Sequence, residues 1–318
     1  MLLSYVMQIH NLESEGANLH GYFSREIPSV LEIDSGDIVR YSKIPDATWS
    51  VEQYNDEESE DRPRVESENA ELNNGHCLVG PVSIRNARAG HTLAVKVNSI
   101  ETGKWGWTHG GGWSSDYNER LNIGRGQFVR LLWDIDNETK SATNQYGHTV
   151  SINPFLGVMG MPPDLPGIHP TYPPRYCGGN LDCKELTAGS TLYLPISTEA
   201  ALFSCGDGHA RQGDGEVSGQ AIECMIDNVE LEFEVHDYHI RMPRIENESG
   251  WFTLGLHADL KEASYIALEE MLDLMCDRYE LARKEAIALA SCVVDLRITQ
   301  IVNGTRGVHA YLAKDAIR

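Results

Sequence analysis

The sequence predicts a mainly β protein of β-sandwich-like, antiparallel sheets, with two helices near the C-terminus. Three observations carry that reading. "VELEFEV" (229–235) alternates Val229, Leu231, Phe233 and Val235 with Glu230, Glu232 and Glu234, the period of two that gives a strand one buried and one solvated face. A small residue and a glycine lead straight into an apolar run at Gly36, Gly90 and Gly189, where glycine permits the positive φ of a turn. A helical period is clear only in "ASYIALEEMLDLMCDRYELARKEAIALASC" (263–292).

Taken in order, strands are expected after Gly36 in "SGDIVRY", through Leu93, Val95 and Val97 after Gly90, and in "AGSTLYLPI" after Gly189. The 229–235 strand follows. Asp259 and Glu262 then form a capping box ahead of a helix whose apolar face is Ile266, Leu268, Met271, Leu272 and Met275. A second helix runs through Leu281 and Ile287, and one final strand starts with Val294, Leu296 and Ile298 and ends in "NGTRGVHAYL" (303–312). The acidic run 53–71 and the proline-rich stretch 161–180 are expected as surface loops. At 318 residues the chain is expected to be a single unit, 1–318, or two intimately packed β-rich subdomains of about 1–150 and 151–318.

Composition narrows the partners. Against 26 Lys and Arg stand 47 Asp and Glu, a net charge of −21 with a pI near 4.9, which disfavours nucleic acid and anionic membranes. No stretch approaches the roughly 18 apolar residues of a membrane span. "MLLSYVMQIHNLES" has no basic leader, and the seven cysteines show no CxxC spacing, so the expectation is reduced thiols in a cytoplasmic protein.

One stretch resists explanation by fold alone. "FSCGDGHARQGDGE" (203–216) sets Asp207, His209, Asp214 and Glu216 among Gly206, Gly208, Gly213 and Gly215. Carboxylate oxygens with an imidazole suit a divalent cation, and zinc accepts both donor types. The register is not that of an EF-hand, and no GK[ST] follows to make a phosphate loop. The plain alternative is a turn-rich loop in which Asp and Gly supply Asx-turns. Upstream, "GGNLD" (178–182) offers Asn180 and Asp182, which share a face if the segment is extended. Taken alone, Asp182 reads as a turn or cap residue.

The run "GGNLDCKELTAGSTLYLPISTEAALFSCGDGHARQGDGEVSGQAIE" (178–223) strongly resembles the acetamidase/formamidase family. Looser likeness extends to 27–39, 76–90, 154–163 and 302–314. The resemblance implies a β-rich fold, metal-assisted hydrolysis of a small aliphatic amide to carboxylate and ammonia, and a homodimer or higher homo-oligomer. It implies a divalent metal, zinc foremost, with calcium second. The matching positions are Asn180, Asp182, Asp207, His209, Gln212, Asp214 and Glu216. On this reading His20, His76, Asp182, Asp207 and His209 are metal ligands, while Glu216, Asn180 and Asp214 form the catalytic set. Glu216 relays a proton and Asn180 donates to the oxyanion. Cys205, Arg211 and His91 depart from the family pattern, and Arg211 adjoins the site, which bears on substrate range.

Two other readings compete. A cysteine amidase would use Cys205 or Cys183 as nucleophile, which requires a thiolate beside a base. A non-catalytic module would hold a structural ion in the acidic loop and grip a sugar with Trp105, Trp107 and Trp113, although such aromatics are also ordinary core residues.

Overall fold

The computed structural model describes residues 7–58, 61–69 and 73–318, so parts of the 53–71 acidic run and of the N-terminal segment lie outside the described residues. Two large sheets dominate. The nine-stranded sheet runs in the order Ile9–Glu13, Ile38–Ile44, Ile226–His236, Thr92–Thr102, Thr191–Pro195, Arg244–Glu246, Gly250–His257, Arg306–Ala313, Val294–Gln300. Here the alternation acts as expected: Val229, Leu231 and Phe233 are buried, while Glu230 and Glu232 face outward and pair with Arg40 (2.7 Å) and Lys96 (3.3 Å) on neighbouring strands. Gly36, Gly90 and Gly189 turn with φ of 96°, 90° and 89°.

The second sheet has eleven strands and holds the motif. Its path includes Val129–Asp136, Trp105–Gly110, Ile222–Glu223, Phe203–Arg211, Phe155–Gly160 and Gly178–Asn180. Leu78–Ile84 joins it by pairing with Phe203–Arg211, and also pairs with Leu19–His20 and Leu31–Ile33. The main core comprises apolar side chains of both sheets, Tyr41, Val95, Phe155, Phe203 and Phe233 among them. Two strand pairs are parallel, Ile9–Glu13 with Ile38–Ile44 and Leu31–Ile33 with Leu78–Ile84. The antiparallel expectation holds for the rest of both large sheets.

The helices form where their signals lie, with differences in detail. Asp259 caps Leu260–Tyr279 by accepting from the N–H groups of Lys261 and Glu262. The reciprocal half of the box is replaced, because the Asp259 N–H donates to His257 Nδ1 at 2.9 Å. The sheet-facing stripe is led by small Ala263 and Ala267 with Met271 and Met275, while Ile266 and Leu268 are half-buried. Close approach is the reason: a Cβ on Gly255 would run into the backbone of Ala263 and Ala267. The second helix is Arg283–Val293, so Leu281 precedes it. A one-turn helix, Asp116–Arg120, is added; five residues are too few to show a period, and Ser115 caps it. The single final strand is instead a hairpin. The Gln300 side chain closes its turn, accepting from the N–H groups of Val302 and Asn303 and donating to Thr305 O. No described helix is long and apolar enough to cross a membrane.

One consequence is an acid-sensitive core. His309 on the hairpin is buried, and burial pushes its pKa down to about 4. His109 is also lowered to about 4, by burial and then by Arg130 and Arg62. The unfolded histidines protonate near 6.5, so between pH 6.5 and 4 the unfolded state binds more protons. The contribution of these two histidines is therefore complete above pH 6.5 and falls as pH drops towards 4, by about 3 kcal/mol for His309. Because the buried acids Asp182 and Glu223, whose pKa values are raised, act in the opposite sense, the His309 share is read as a difference: in urea denaturation at pH 7.5, 5.5 and 4.5, His309→Gln is expected to gain on wild type as pH falls.

Candidate metal centre and active site

Phe203–Arg211 is buried from Phe203 to Ala210 and has neighbours on both edges. That explains glycines where a loop seemed natural. A Cβ on Gly206 would strike Cys77 O, and one on Gly208 would lie 2.5 Å from Cys224 O, so both glycines let strands approach closely. Between them Asp207 adopts φ 62°, and its Oδ1 lies 3.3 Å from His209 Nε2. Across the ladder His209 pairs with Glu223, whose Oε2 lies 3.3 Å from the same nitrogen. Phe155 packs edge-on to the imidazole at 5.0 Å.

Other segments deliver the remaining acids. Asp182 follows the Gly178–Asn180 strand, takes φ 46°, and donates its backbone N–H to Gly157 O at 3.2 Å. Its carboxylate accepts from Asn303 Nδ2 at 2.5 Å, and its carbonyl accepts from Gln212 Nε2 at 2.7 Å. Glu216 is turned inward with φ 48°, after Gly215 donates its N–H to Thr299 O. Gly157 is the floor. A Cβ there would lie 2.7 Å from Asp182 Oδ1 and 2.9 Å from His209 Cε1, and closer still to Asp207 Oδ2.

Two overlapping trios result, Asp182–His209–Glu216 and Asp207–His209–Glu223, each with ligand-type atoms within 4.8 Å of one another and all side chains buried. Buried atoms without a hydrogen bond collect here: Asp182 Oδ1, His209 Nδ1 and Glu216 Oε2, together with Asp207 Oδ1 and Glu223 Oε2, which only face His209 Nε2 at 3.3 Å. Buried polar atoms are ordinarily satisfied, so this concentration needs a missing partner. A divalent cation fits, because the donors are carboxylate oxygens and imidazole nitrogen.

The electrostatics agree. Burial pushes Asp182 and Glu223 up to about 7, and raises Glu216 well above the usual carboxylate range with Asp182 adding repulsion. Burial also acts against charge on Asp207, but His209 and His76 overcome it and hold Asp207 below its ordinary value. Four acids in one dry site cannot all ionise without added positive charge.

The expected residues divide. Asp182, Asp207, His209 and Glu216 come together. His76 is half-buried with Nδ1 2.9 Å from Thr171 Oγ1, and it feels the charges of Asp207 and His209. Asn180 gives an Nδ2 hydrogen to Tyr172 O, and its buried Oδ1 is unpartnered. His20 has both ring nitrogens engaged elsewhere, with Tyr22 O at 2.6 Å and Ser204 Oγ at 2.9 Å. Asp214 points outward to Lys184 at 2.9 Å and belongs to neither trio. Sequence reasoning missed Glu223, Asn303 and Gly157. Only Glu223 carried a signal, a lone acid inside the apolar run "AIECMI" (221–226).

Neither competing reading gains support. Cys205 and Cys183 are buried, and burial pushes both thiols up, away from the thiolate. The Trp107 indole is buried and donates to Asp46 Oδ2 at 2.7 Å, as a core residue does. Beside Glu216 lies an open cavity of about 250 Å³, whose wall also includes Trp133, Val150, Arg211 and Ile222.

Comparison with known proteins agrees with this fold. The model of the Acetamidase/Formamidase family matches residues 6–166 and 167–310. A putative formamidase of Schizosaccharomyces pombe is 26% identical over 258 residues, 64% of this chain and 60% of that protein. The formamidase of Methylophilus methylotrophus is 23% identical over 264 residues, 65% of this chain and 61% of that protein. The chain thus aligns with about three fifths of the length of these relatives. The crystal structure of an acetamidase from Bacillus halodurans superposes with a TM-score of 0.81 at 26% identity, covering 95% of this chain and 97% of that one. With the family match spanning nearly the whole sequence, the chain belongs to the acetamidase/formamidase family.

Proposed function

We propose that this chain is a metal-assisted amidohydrolase that cleaves a small aliphatic amide to a carboxylate and ammonia. The observation that carries the reading is the set of buried acid and imidazole atoms without a hydrogen bond around His209. The relatives' names, formamidase and acetamidase, support the reaction class. Zinc is the first ion to expect, because it takes nitrogen and oxygen donors together, and calcium the second.

When bound, the cation supplies Lewis acidity and a water whose pKa falls from about 16 towards 7. His209, Asp207 and Glu223 would hold it, with Asp182 in the overlapping trio and His76 near enough to feel the charges of Asp207 and His209. His20 is left out of this ligand set because both of its ring nitrogens are hydrogen-bonded elsewhere. Burial and repulsion from Asp182 raise the Glu216 pKa and favour its protonated form, which suits it to protonate the leaving nitrogen. Asn180 spends one amide hydrogen on Tyr172 O and keeps a second to donate to the carbonyl oxygen. Asp214, exposed and paired with Lys184, is assigned to the cavity rim. We further propose a cytoplasmic homodimer or larger homo-oligomer in which residues 1–318 fold as one unit.

The test is ammonia release from formamide, acetamide and propionamide, before and after chelation and after return of zinc or calcium. Activity lost on chelation and restored by one ion is expected. Turnover that survives exhaustive chelation would refute the metal role.

A further inference from the structure

We infer that the preferred substrate is a monoamide carrying a carboxylate at the far end of a short acyl chain, and that Arg211 recognises that carboxylate. The inference rests on the amidohydrolase reading and names the substrate class of the same site. It starts from the cavity that borders Glu216. At about 250 Å³ it approaches the range of small-molecule sites, roughly 300–1,000 Å³, and exceeds what an amide of four heavy atoms requires.

Its wall is divided by chemistry. Trp133, Val150, Val217 and Ile222 supply apolar surface suited to methylene groups. Arg211, the first residue past the buried part of its strand, supplies the positive charge. In a chain of net charge −21, Arg211 has no carboxylate partner among the described residues. Its Nη1 donates to Ser151 O at 2.8 Å and Ser151 Oγ at 2.7 Å, two neutral acceptors that fix the guanidinium without neutralising it. The acid that could compete, Asp214, is engaged by Lys184. A planar, permanently charged fork held in this way matches a carboxylate in two-point contact.

Placement also answers the objection that the site is acidic. The amide end would lie at Glu216, and the anionic end at Arg211, five positions back along the chain and on the cavity wall. Repulsion from the buried acids thus falls on the uncharged end of the substrate.

The experiment compares kcat/KM for propionamide and butyramide with that for malonamate and succinamate, the monoamides of three- and four-carbon diacids, in metal-replete enzyme. Wild type is expected to favour an anionic amide over its neutral counterpart by about tenfold or more. In Arg211→Ala that ratio is expected to collapse towards one, and Arg211→Lys to restore part of it, since charge is kept and the fork lost. A wild-type ratio at or below one, or a ratio unmoved by Arg211→Ala, overturns the substrate class while leaving the amidase reading intact. Silence on all four amides would remove both.

Discussion

Gly157→Ala is expected to leave a folded protein whose ammonia release falls about a hundredfold or more. The glycine is not needed for its backbone angles, because it lies in the Phe155–Gly160 strand without a positive φ. It is needed for space. A methyl there would press on Asp207 Oδ2 and lie 2.7 Å from Asp182 Oδ1 and 2.9 Å from His209 Cε1, so three of the converging side chains must move at once. Their neighbours are packed, which makes the expected cost of overfilling about 1–3 kcal/mol, small enough for the fold to persist. Gly110→Ala is the control, since a Cβ there meets nothing within 4 Å. Equal zinc content and turnover in Gly157→Ala and wild type would remove Gly157 from the account.

His209→Ala has the other large effect, on stability as well as activity. The imidazole is shared by both trios and is the positive partner of Asp207 and Glu223, each 3.3 Å away. Burial disfavours its charge, but Glu223 and Asp207 overcome that and raise its pKa well above the ordinary value. Removing it strands buried acids, and loss of one partner of a buried pair costs about 3–5 kcal/mol. The deficit should shrink at low pH, where the stranded carboxylates are protonated and no longer repel. Urea denaturation of metal-free wild type and variant at pH 7.5 and pH 5 checks this; a pH-independent deficit would mean that packing against Phe155, and not charge, is what His209 contributes.

The sequence displays what is local and hides what is cross-strand. Alternation at Val229–Val235 and the Asp259 cap are local signals, and both elements stand where they were expected. The hairpin after Val294 was missed although Asn303-Gly304 marks a turn within the run; what carried no signal is the Gln300 side chain that closes that turn. The site divides the same way. Asp207 and His209 are two residues apart on one strand, so their meeting could be read from spacing. Glu223 meets His209 only through pairing of two strands, and Gly157 meets Asp207 only through another. Asp214 and Glu216 look equivalent in "GDGE", yet Gly215, at φ 96°, turns one outward to Lys184 and the other inward to Asp182. No one-dimensional pattern separates them.

Anomalous diffraction from zinc-soaked crystals tests the central claim most directly. The expected result is a peak bounded by Asp207, His209 and Glu223, with ligand distances of about 2.0–2.2 Å, absent from His209→Ala crystals soaked alike. An empty cluster in the wild-type crystals, or zinc bound only at outlying groups such as Asp214, would contradict it.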